Sequence, residues 1–175
     1  VVRDVIKQPS LNIRILTGGI AHLVLTSFSE TTNEELIAAL DTVHKFESKG
    51  LIIDVRQNVG GLVSATVDAT SQFLDSGLVF YQIDGDGRRT NYRVREGGVA
   101  LSIPLVLLMD EFSASGSEIL AGALRDHNRA TLVGSKTFGK GSVNIQHALS
   151  DGSGIYYTIA RWYTPLGHVI EGHGL

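Results

Sequence analysis

The chain has 175 residues, of which 43% are hydrophobic and 19% charged, and its formal net charge is −3. It contains no cysteine, which excludes disulfide bonds, a thiolate nucleophile and cysteine metal sites. The weakly acidic charge offers no basic surface, so we expect no nucleic acid partner and no electrostatic binding to membranes. One domain with a sizeable core is the default for this length.

The first half of the chain alternates predicted strands and helices. Residues 1–11 mix charged and apolar side chains and are predicted to be the end of a strand or a linker. The hydrophobic periodicity then predicts strands over 12–16, 20–28 and 51–55, and helices over 31–50 and 62–74. The first helix is expected to open with a capping box, formed by Thr31 with Glu34 or by Thr32 with Glu35, and to end at Gly50.

The second half predicts a hairpin, a further strand–helix unit and more strands. The ranges are 78–83 and 90–94 for the hairpin, 101–109 and 117–124 for the unit, and 130–134, 144–149 and 155–163 for the other strands. Strand followed by helix occurs three times, which predicts an α/β domain with a mostly parallel sheet. Ligands of such sheets bind at the carboxyl ends of the strands, where residues 58–61 and 111–116 form unusual loops.

Three alternating serines lie where the strand at 101–109 passes into the helix at 117–124. They are Ser113, Ser115 and Ser117. Such a junction exposes a side chain beside the free N–H groups of a helix N-terminus, which is what a nucleophile and its oxyanion require. The simpler interpretation is that these residues are helix-cap and turn serines.

Lys140 lies between two glycines, just beyond the short strand at 130–134. Most lysines in such turns are solvated surface residues, and the P-loop pattern is incomplete because its spaced first glycine is missing. A third interpretation is a general base, since burial beside a serine disfavours the charged ammonium form of a lysine. Ser–Lys pairs are a known variant of the catalytic triad, although a separation of 25 residues from Ser115 does not by itself bring the two side chains together.

Eight short stretches together resemble the carboxy-terminal processing peptidases, also called tail-specific proteases. They are 27–29, 53–61, 112–119, 121–127, 133–134, 137–143, 149–153 and 161–165. The stretch 53–61 is similar to the family's Asp-Leu-Arg-x-Asn-x-Gly-Gly loop. The stretches stand in the family's order and cover nearly the whole chain, so the resemblance is highly specific.

The resemblance implies a fold similar to the crotonases and the caseinolytic protease subunit, with repeated strand–strand–helix units. It also implies a Ser–Lys endopeptidase that cleaves polypeptides near their C-termini through an acyl-enzyme, with no cofactor and no metal. By this resemblance Ser115 is the nucleophile and Lys140 the general base. The N–H groups of Gly116 and of Gly61, with Gly60 as second choice, would bind the oxyanion, because glycine lets the backbone approach the substrate carbonyl.

One position departs from the family pattern. Four residues after the lysine the family commonly has a glutamine that orients it, whereas this chain has Asn144, with Gln146 two residues later. Asparagine carries the same amide on a shorter stem, and Gln146 would lie on the same face of the strand. We expect Asn144, rather than Gln146, to take this role.

The family usually carries a PDZ domain before this core, which binds substrate C-termini by adding the peptide as a strand. Residues 1–6 look like the exit from such a domain, so residues 1–175 are expected to be one excised peptidase core. The expected partners are polypeptides with extended C-termini and this PDZ domain in cis, and oligomerisation is possible. The resemblance also implies an exported protein, periplasmic or associated with the cell envelope.

Two other functions were weighed against the peptidase. A non-catalytic binding module is compatible with the fold, because retinoid-binding relatives share it, and so is a crotonase-type acyl-CoA enzyme. The intact serine, lysine and glycine loops disfavour the first, and the second leaves the motif around Lys140 unexplained.

Other ionisable residues are given structural roles. A Ser–His–Asp triad through His127 is disfavoured, because His127 lies ~18 Å along the helix from Ser115. Asp54 is expected to be a buried acid paired with Arg56, and Glu118 to suit the positive end of the helix dipole. No histidine pattern indicates a metal site.

Overall fold

The computed structural model describes residues 9–175, so most of the predicted linker at 1–11 lies outside the described residues. This part of the chain forms nine strands and three helices. They are β1 (Leu11–Leu16), β2 (Ile20–Leu25), α1 (Thr32–Lys45), β3 (Gly50–Asp54), α2 (Val63–Ser71), β4 (Leu78–Asp84), β5 (Arg89–Arg93), β6 (Leu105–Met109), α3 (Gly116–Asp126), β7 (Thr131–Gly134), β8 (Ser142–Ala148) and β9 (Gly154–Tyr163). Every predicted helix and strand between residues 12 and 163 is present, with ends that differ by a few residues.

The strands form two sheets of different character. The first has the order β1-β2-β3-β6-β7, with β1 antiparallel to β2 and the other pairs parallel. The second has the order β5-β4-β9-β8, and all its pairs are antiparallel. The α/β class is therefore confirmed, but the mostly parallel arrangement describes only the first sheet. Short polar turns join β4 to β5 and β8 to β9, and a short turn allows only antiparallel pairing.

The predicted strand–strand–helix repeat is present only in part. The order β1-β2-α1 follows it, whereas β3 passes directly into α2. The capping box predicted at the start of α1 does not form, because the Glu35 carboxylate accepts hydrogen bonds from the hydroxyls of Thr31 and Ser10 instead. This pairing ties the start of α1 to the segment before β1.

The core lies between the helices and the two sheets. Alternate residues of β6 point into it, as a strand buried on one face requires. Helix α3 packs against α2, β4 and β7, and is buried along its length from Gly116 to Leu124. Its first turn, where Ser115 caps the helix, is therefore held on several sides. No helix among residues 9–175 is long and apolar enough to cross a membrane.

Candidate active site

The loop between β6 and α3 presents one of its three serines to solvent. Ser113 and Ser117 are fully buried, and their hydroxyls donate to the carbonyls of Val55 and Asn58 at 2.8 Å. Ser115 is only half-buried. It has φ 54° and ψ −111°, a backbone conformation that a residue with a Cβ adopts only when its surroundings enforce it. Ser113 and Ser117 therefore fix the junction between β6 and α3, and Ser115 is the serine that is accessible to solvent.

The Glu118 carboxylate joins the serine loop (residues 110–115) to the lysine loop (residues 135–141). Glu118 is fully buried, and its Oε2 accepts the N–H groups of Ser115 and Lys140, each at 2.9 Å. Its Oε1 accepts the Gly139 N–H and the Thr137 hydroxyl, each at 2.7 Å. Four donors compensate the burial of this carboxylate, and residues 25 positions apart are held on one group.

The sequence analysis missed this role of Glu118. The spacing Ser115-x-x-Glu118 is the signature of a capping box, in which the glutamate binds the backbone N–H of the cap residue, and that half of the motif is present. The spacing could have predicted the contact with Ser115. The three further donors come from a loop that is distant in sequence, and no local pattern indicates them.

Ser115 and Lys140 line one small cavity. Its volume is about 170 Å³, and both residues face it together with Gln82 and Asn144. The rest of its wall is largely apolar, with contributions from Val63, Phe80, Ile119, Val143, Tyr156 and Trp162. Lys140 is half-buried, and its carbonyl accepts the indole N–H of Trp162 at 2.9 Å. The fold thus brings the predicted nucleophile and the predicted base to the same cavity.

The glycine loop after β3 lies directly against the serine. A Cβ added to Gly60, which has φ +103°, would lie 2.8 Å from the Ser115 Cβ and 2.8 Å from the Gly116 nitrogen. The Gly60 N–H donates to the Asn58 side chain at 2.8 Å. Within residues 9–175, no protein acceptor receives the N–H of Gly61 or of Gly116. Because the Gly60 N–H is already bonded and the Gly61 N–H is not, Gly61 is favoured over Gly60 as a donor to a ligand.

Asn58 holds this glycine loop in place. It is fully buried, and its amide donates to the Leu25 carbonyl at 2.8 Å. Its own carbonyl accepts the Ala114 N–H at 3.0 Å. The sequence analysis did not single out Asn58, although it belongs to the loop pattern that the resemblance rests on.

Asp54 and Arg56 support the base of the same loop. The Arg56 guanidinium donates to both carboxylate oxygens of Asp54, at 2.9 and 2.7 Å, so the predicted pair is present. His22 Nε2 lies 3.1 Å from Asp54 Oδ2, and Arg14 donates to His22 Nδ1. Because a guanidinium can only donate, Nδ1 is the acceptor and Nε2 carries the proton.

The pKa of Asp54 lies below its ordinary value. Burial raises this pKa, but the hydrogen bonds from Arg56, together with that from His22, outweigh it. Asp54 is therefore held as a carboxylate at the end of β3, where it anchors the turn toward Gly60.

Asn144 lies in the cavity wall, but its amide is engaged elsewhere. Its Nδ2 donates to the Ser142 hydroxyl at 3.2 Å and its Oδ1 accepts the Thr158 hydroxyl at 2.7 Å. A bulge between Val143 and Asn144 interrupts the pairing of β8 with β9. Gln146 is exposed and is not among the residues that line the cavity. Asn144, and not Gln146, is therefore among the residues that line the cavity with Lys140.

The alternative Ser–His–Asp triad through His127 is not formed. His127 caps the C-terminal end of α3, at the opposite end from Ser115, and its Nε2 lies 2.8 Å from the Leu78 carbonyl. Among residues 9–175, no group of three or more His, Asp or Glu side chains is arranged to hold a metal ion.

A larger hollow of about 920 Å³ lies on the other side of the glycine loop. Its walls include Leu11, Phe28, Ala38 and Leu62, and it reaches Gly61. Leu62 lines this hollow and its neighbour Val63 lines the cavity beside Ser115. Both spaces therefore meet the segment that carries the free Gly61 N–H.

Comparison with known proteins identifies the family. The model of peptidase family S41 matches residues 19–175. The chain belongs to peptidase family S41. It is 39% identical over 156 residues to a carboxyl-terminal-processing protease of Synechocystis sp., covering 89% of this chain and 36% of that protein. It is 34% identical over 176 residues to a probable CtpA-like serine protease of Staphylococcus epidermidis, covering 97% of this chain and 36% of that protein.

A solved structure agrees with the sequence comparisons. The photosystem II D1 C-terminal processing protease superposes with a TM-score of 0.89 at 31% sequence identity, covering 97% of this chain and 47% of that one. The predicted resemblance to the carboxy-terminal processing peptidases is thus confirmed. The chain spans little more than a third of the length of these two curated relatives.

Proposed function

We propose that this S41 chain is the catalytic core of a Ser–Lys endopeptidase that cleaves polypeptides near their C-termini. The observation that carries the proposal is the common placement of Ser115 and Lys140, which line one cavity and whose backbone N–H groups share the Glu118 carboxylate. The N–H of Gly116, next to Ser115, and the N–H of Gly61, in the adjoining glycine loop, have no protein acceptor among residues 9–175 and are proposed to bind the oxyanion. A nucleophile, a base and an oxyanion site are the parts that acyl transfer requires.

In the acylation step the Ser115 Oγ attacks the scissile carbonyl carbon while neutral Lys140 takes the hydroxyl proton. The carbonyl oxygen becomes an oxyanion, and the N–H groups of Gly61 and Gly116 stabilise it. The C–N bond then breaks, and Lys140 gives its proton to the departing amine. The peptide that carries the carbonyl is left as an ester on Ser115.

Deacylation reverses the same proton transfers. Water attacks the ester carbonyl while Lys140 takes a proton from it, and the oxyanion again binds at Gly61 and Gly116. The ester C–O bond breaks, Ser115 recovers its proton from Lys140, and the new carboxylic acid leaves and loses its proton to solvent. One lysine therefore serves both half-reactions, as microscopic reversibility requires.

The groups around this machinery are given supporting roles. Gly60 leaves room for Ser115, and Asn144, bonded to Ser142 and Thr158, is proposed to orient Lys140 indirectly by holding the β8 wall of the cavity. An extended polypeptide would lie across Leu62 and Val63, with side chains in the apolar hollow and in the cavity. Binding through alternate side chains is what an extended strand permits.

The chain is proposed to be one part of a longer protein. Residues 1–175 would be the peptidase core, with a PDZ domain before it that selects substrate C-termini. An exported location and oligomerisation stay predictions, as does the relation to the crotonase and caseinolytic protease folds. No cofactor enters the proposed steps.

The test compares casein degradation by the chain and by its Ser115→Ala and Lys140→Met variants. A fluorophosphonate probe, which labels activated serines, provides a second readout on the same samples. We expect degradation and labelling by the unmodified chain and neither by the variants. Full activity of Lys140→Met would overturn the Ser–Lys mechanism, and full activity of Ser115→Ala would overturn the serine assignment. The intact donors and base argue against the binding-module alternative, which predicts no labelling of any of the three proteins.

A further inference from the structure

Three successive amides of the lysine loop each donate to a carboxylate. Gly139 and Lys140 donate to Glu118 at 2.7 and 2.9 Å. Gly141 donates to Glu171 Oε2 at 2.8 Å. The loop therefore lies between two acidic side chains, one from the helix that Ser115 caps and one from the C-terminal end of the chain.

Residues 170–175, named here the C-terminal brace, run along the lysine loop. The Gly172 N–H donates to the Gly139 carbonyl at 2.9 Å, and the Leu175 N–H donates to the Thr137 hydroxyl at 2.8 Å. The brace is anchored at its start by Ile170, whose side chain is fully buried in the core. The backbone of the brace therefore links the lysine loop to the buried core.

The brace and the loop are in direct contact, with no space between them. A Cβ added to Gly141 would lie 2.4 Å from the Glu171 nitrogen, and one added to Gly139 would lie 3.1 Å from the Gly174 nitrogen. The first distance is one that a real Cβ essentially never shows, and the second is tighter than most Cβ contacts. The two glycines thus permit the approach that lets Glu171 reach the loop.

The backbone of Lys140 is held by bonds from outside its loop, at the N–H by Glu118 and at the carbonyl by Trp162. Residues 135–141 form neither helix nor strand, and glycines on both sides of Lys140 supply no side chain that could anchor it. A lysine side chain has four rotatable carbon–carbon bonds, so its Nζ can already occupy many positions. Movement of the backbone would add to this range, which is why the backbone has to be fixed. Carboxylates bind N–H groups about twice as strongly as neutral acceptors do.

We propose that Glu171 is a positioning residue for Lys140, holding the lysine loop at Gly141 as Glu118 holds it at Gly139 and Lys140. This inference rests on the proposed function of Lys140 as the base. Glu118 fixes the N–H of Lys140 itself, and Glu171 fixes the N–H of the next residue, where the chain turns into β8. Without Glu171 the loop keeps one carboxylate and loses the other, and Lys140 approaches Ser115 in several geometries instead of one.

The experiment compares Glu171→Ala and Glu171→Gln with a matched control, Glu34→Ala. Glu34 is an exposed glutamate in the first turn of α1, far along the chain from the lysine loop. Active sites are counted by fluorophosphonate labelling, kcat per labelled site and KM are measured on a peptide substrate, and hydrogen exchange of the Gly141 amide is followed. Lys140→Met is included as the reference for loss of the base.

For Glu171→Ala we expect kcat per labelled site to fall by about 10- to 100-fold, the cost of a misplaced catalytic group. KM is expected to stay unchanged, and the Gly141 amide should exchange faster. Glu171→Gln keeps an acceptor oxygen and should recover most of kcat, and Glu34→Ala should match the unmodified chain. A residue with only a structural role would lower the melting temperature and the labelled fraction without changing kcat per site.

Three results would overturn the inference. One is equal kcat in Glu171→Ala and Glu34→Ala while Lys140→Met is inactive, in which case the proposed function stands. Another is a lower melting temperature with kcat per site unchanged. The third is full activity of Lys140→Met, or no labelling of the unmodified chain, which would remove the proposed function and this inference with it.

Discussion

The Glu118 carboxylate accepts the backbone N–H of Ser115 at 2.9 Å and so holds the serine in its positive-φ conformation. Its remaining lone pairs bind the lysine loop. One buried side chain therefore couples the position of the nucleophile to that of the base. The coupling predicts that Glu118 matters for both catalysis and stability.

Glu118→Ala is expected to abolish fluorophosphonate labelling and to lower the free energy of unfolding. It leaves four donors without their acceptor, two of them in buried bonds, and each buried unsatisfied donor costs about 1–3 kcal/mol. Urea denaturation and labelling rates measure the two effects. Ser71→Ala is the control, because it removes one buried hydroxyl of α2, bonded to the Val67 carbonyl, away from the cavity. Labelling of Glu118→Ala at the unmodified rate would contradict the coupling.

Gly60→Ala is expected to inactivate the site, because the new Cβ would collide with the Ser115 Cβ and the Gly116 nitrogen. The matched control is Gly18→Ala. Gly18 also has a positive φ, of +89°, but has no heavy atom near its added Cβ, so this variant carries only the backbone strain of about 1 kcal/mol. We expect Gly18→Ala to keep full activity per labelled site. Equal activity of the two variants would show that crowding at Ser115 is unimportant.

Asn144→Ala and Gln146→Ala form a matched pair on strand β8. Asn144 lines the cavity and bonds Thr158, whereas Gln146 is exposed outside it. Removing the Asn144 amide should lower kcat, by up to about 10-fold for one lost hydrogen bond. Gln146→Ala should leave kcat unchanged. The opposite order of effects would transfer the orienting role to Gln146.

Acid should remove the stability that Asp54 contributes. The folded-state pKa of Asp54 lies below 3.8, its ordinary value, so the contribution is complete above that pH and is lost as the pH falls through the folded pKa. Urea denaturation between pH 7 and pH 2.5 should therefore show a steeper loss for the unmodified chain than for Asp54→Asn.

The acids Glu35, Asp110 and Asp126 also have lowered pKa values, so the difference between these two proteins isolates Asp54. Parallel pH curves for both would contradict a role of its charge.

Much of the secondary structure could be predicted, because it depends on local patterns. The apolar spacing of α1 and the continuous apolar run of β3 are properties of neighbouring residues. The predicted start of β6 is four residues too early, since residues 101–104 are mostly apolar but contain Pro104 and lie outside the sheet. The hairpin of β4 and β5 agrees with the prediction, whereas the pairing of β4 with β9, which completes a separate antiparallel sheet, depends on strands distant in sequence and could not be predicted.

By itself the sequence determined the family, the order of the elements and the residue types available for chemistry, since motifs of adjacent residues carry all three. Only the tertiary structure decided which serine faces the cavity and which glycine N–H is free. It also decided that Glu118 and Glu171 bind the lysine loop. These outcomes depend on hydrogen bonds between residues 20 to 60 positions apart. Such bonds form because packing around α3 closes long loops. The local periodicity of the sequence does not indicate which donor then meets which acceptor.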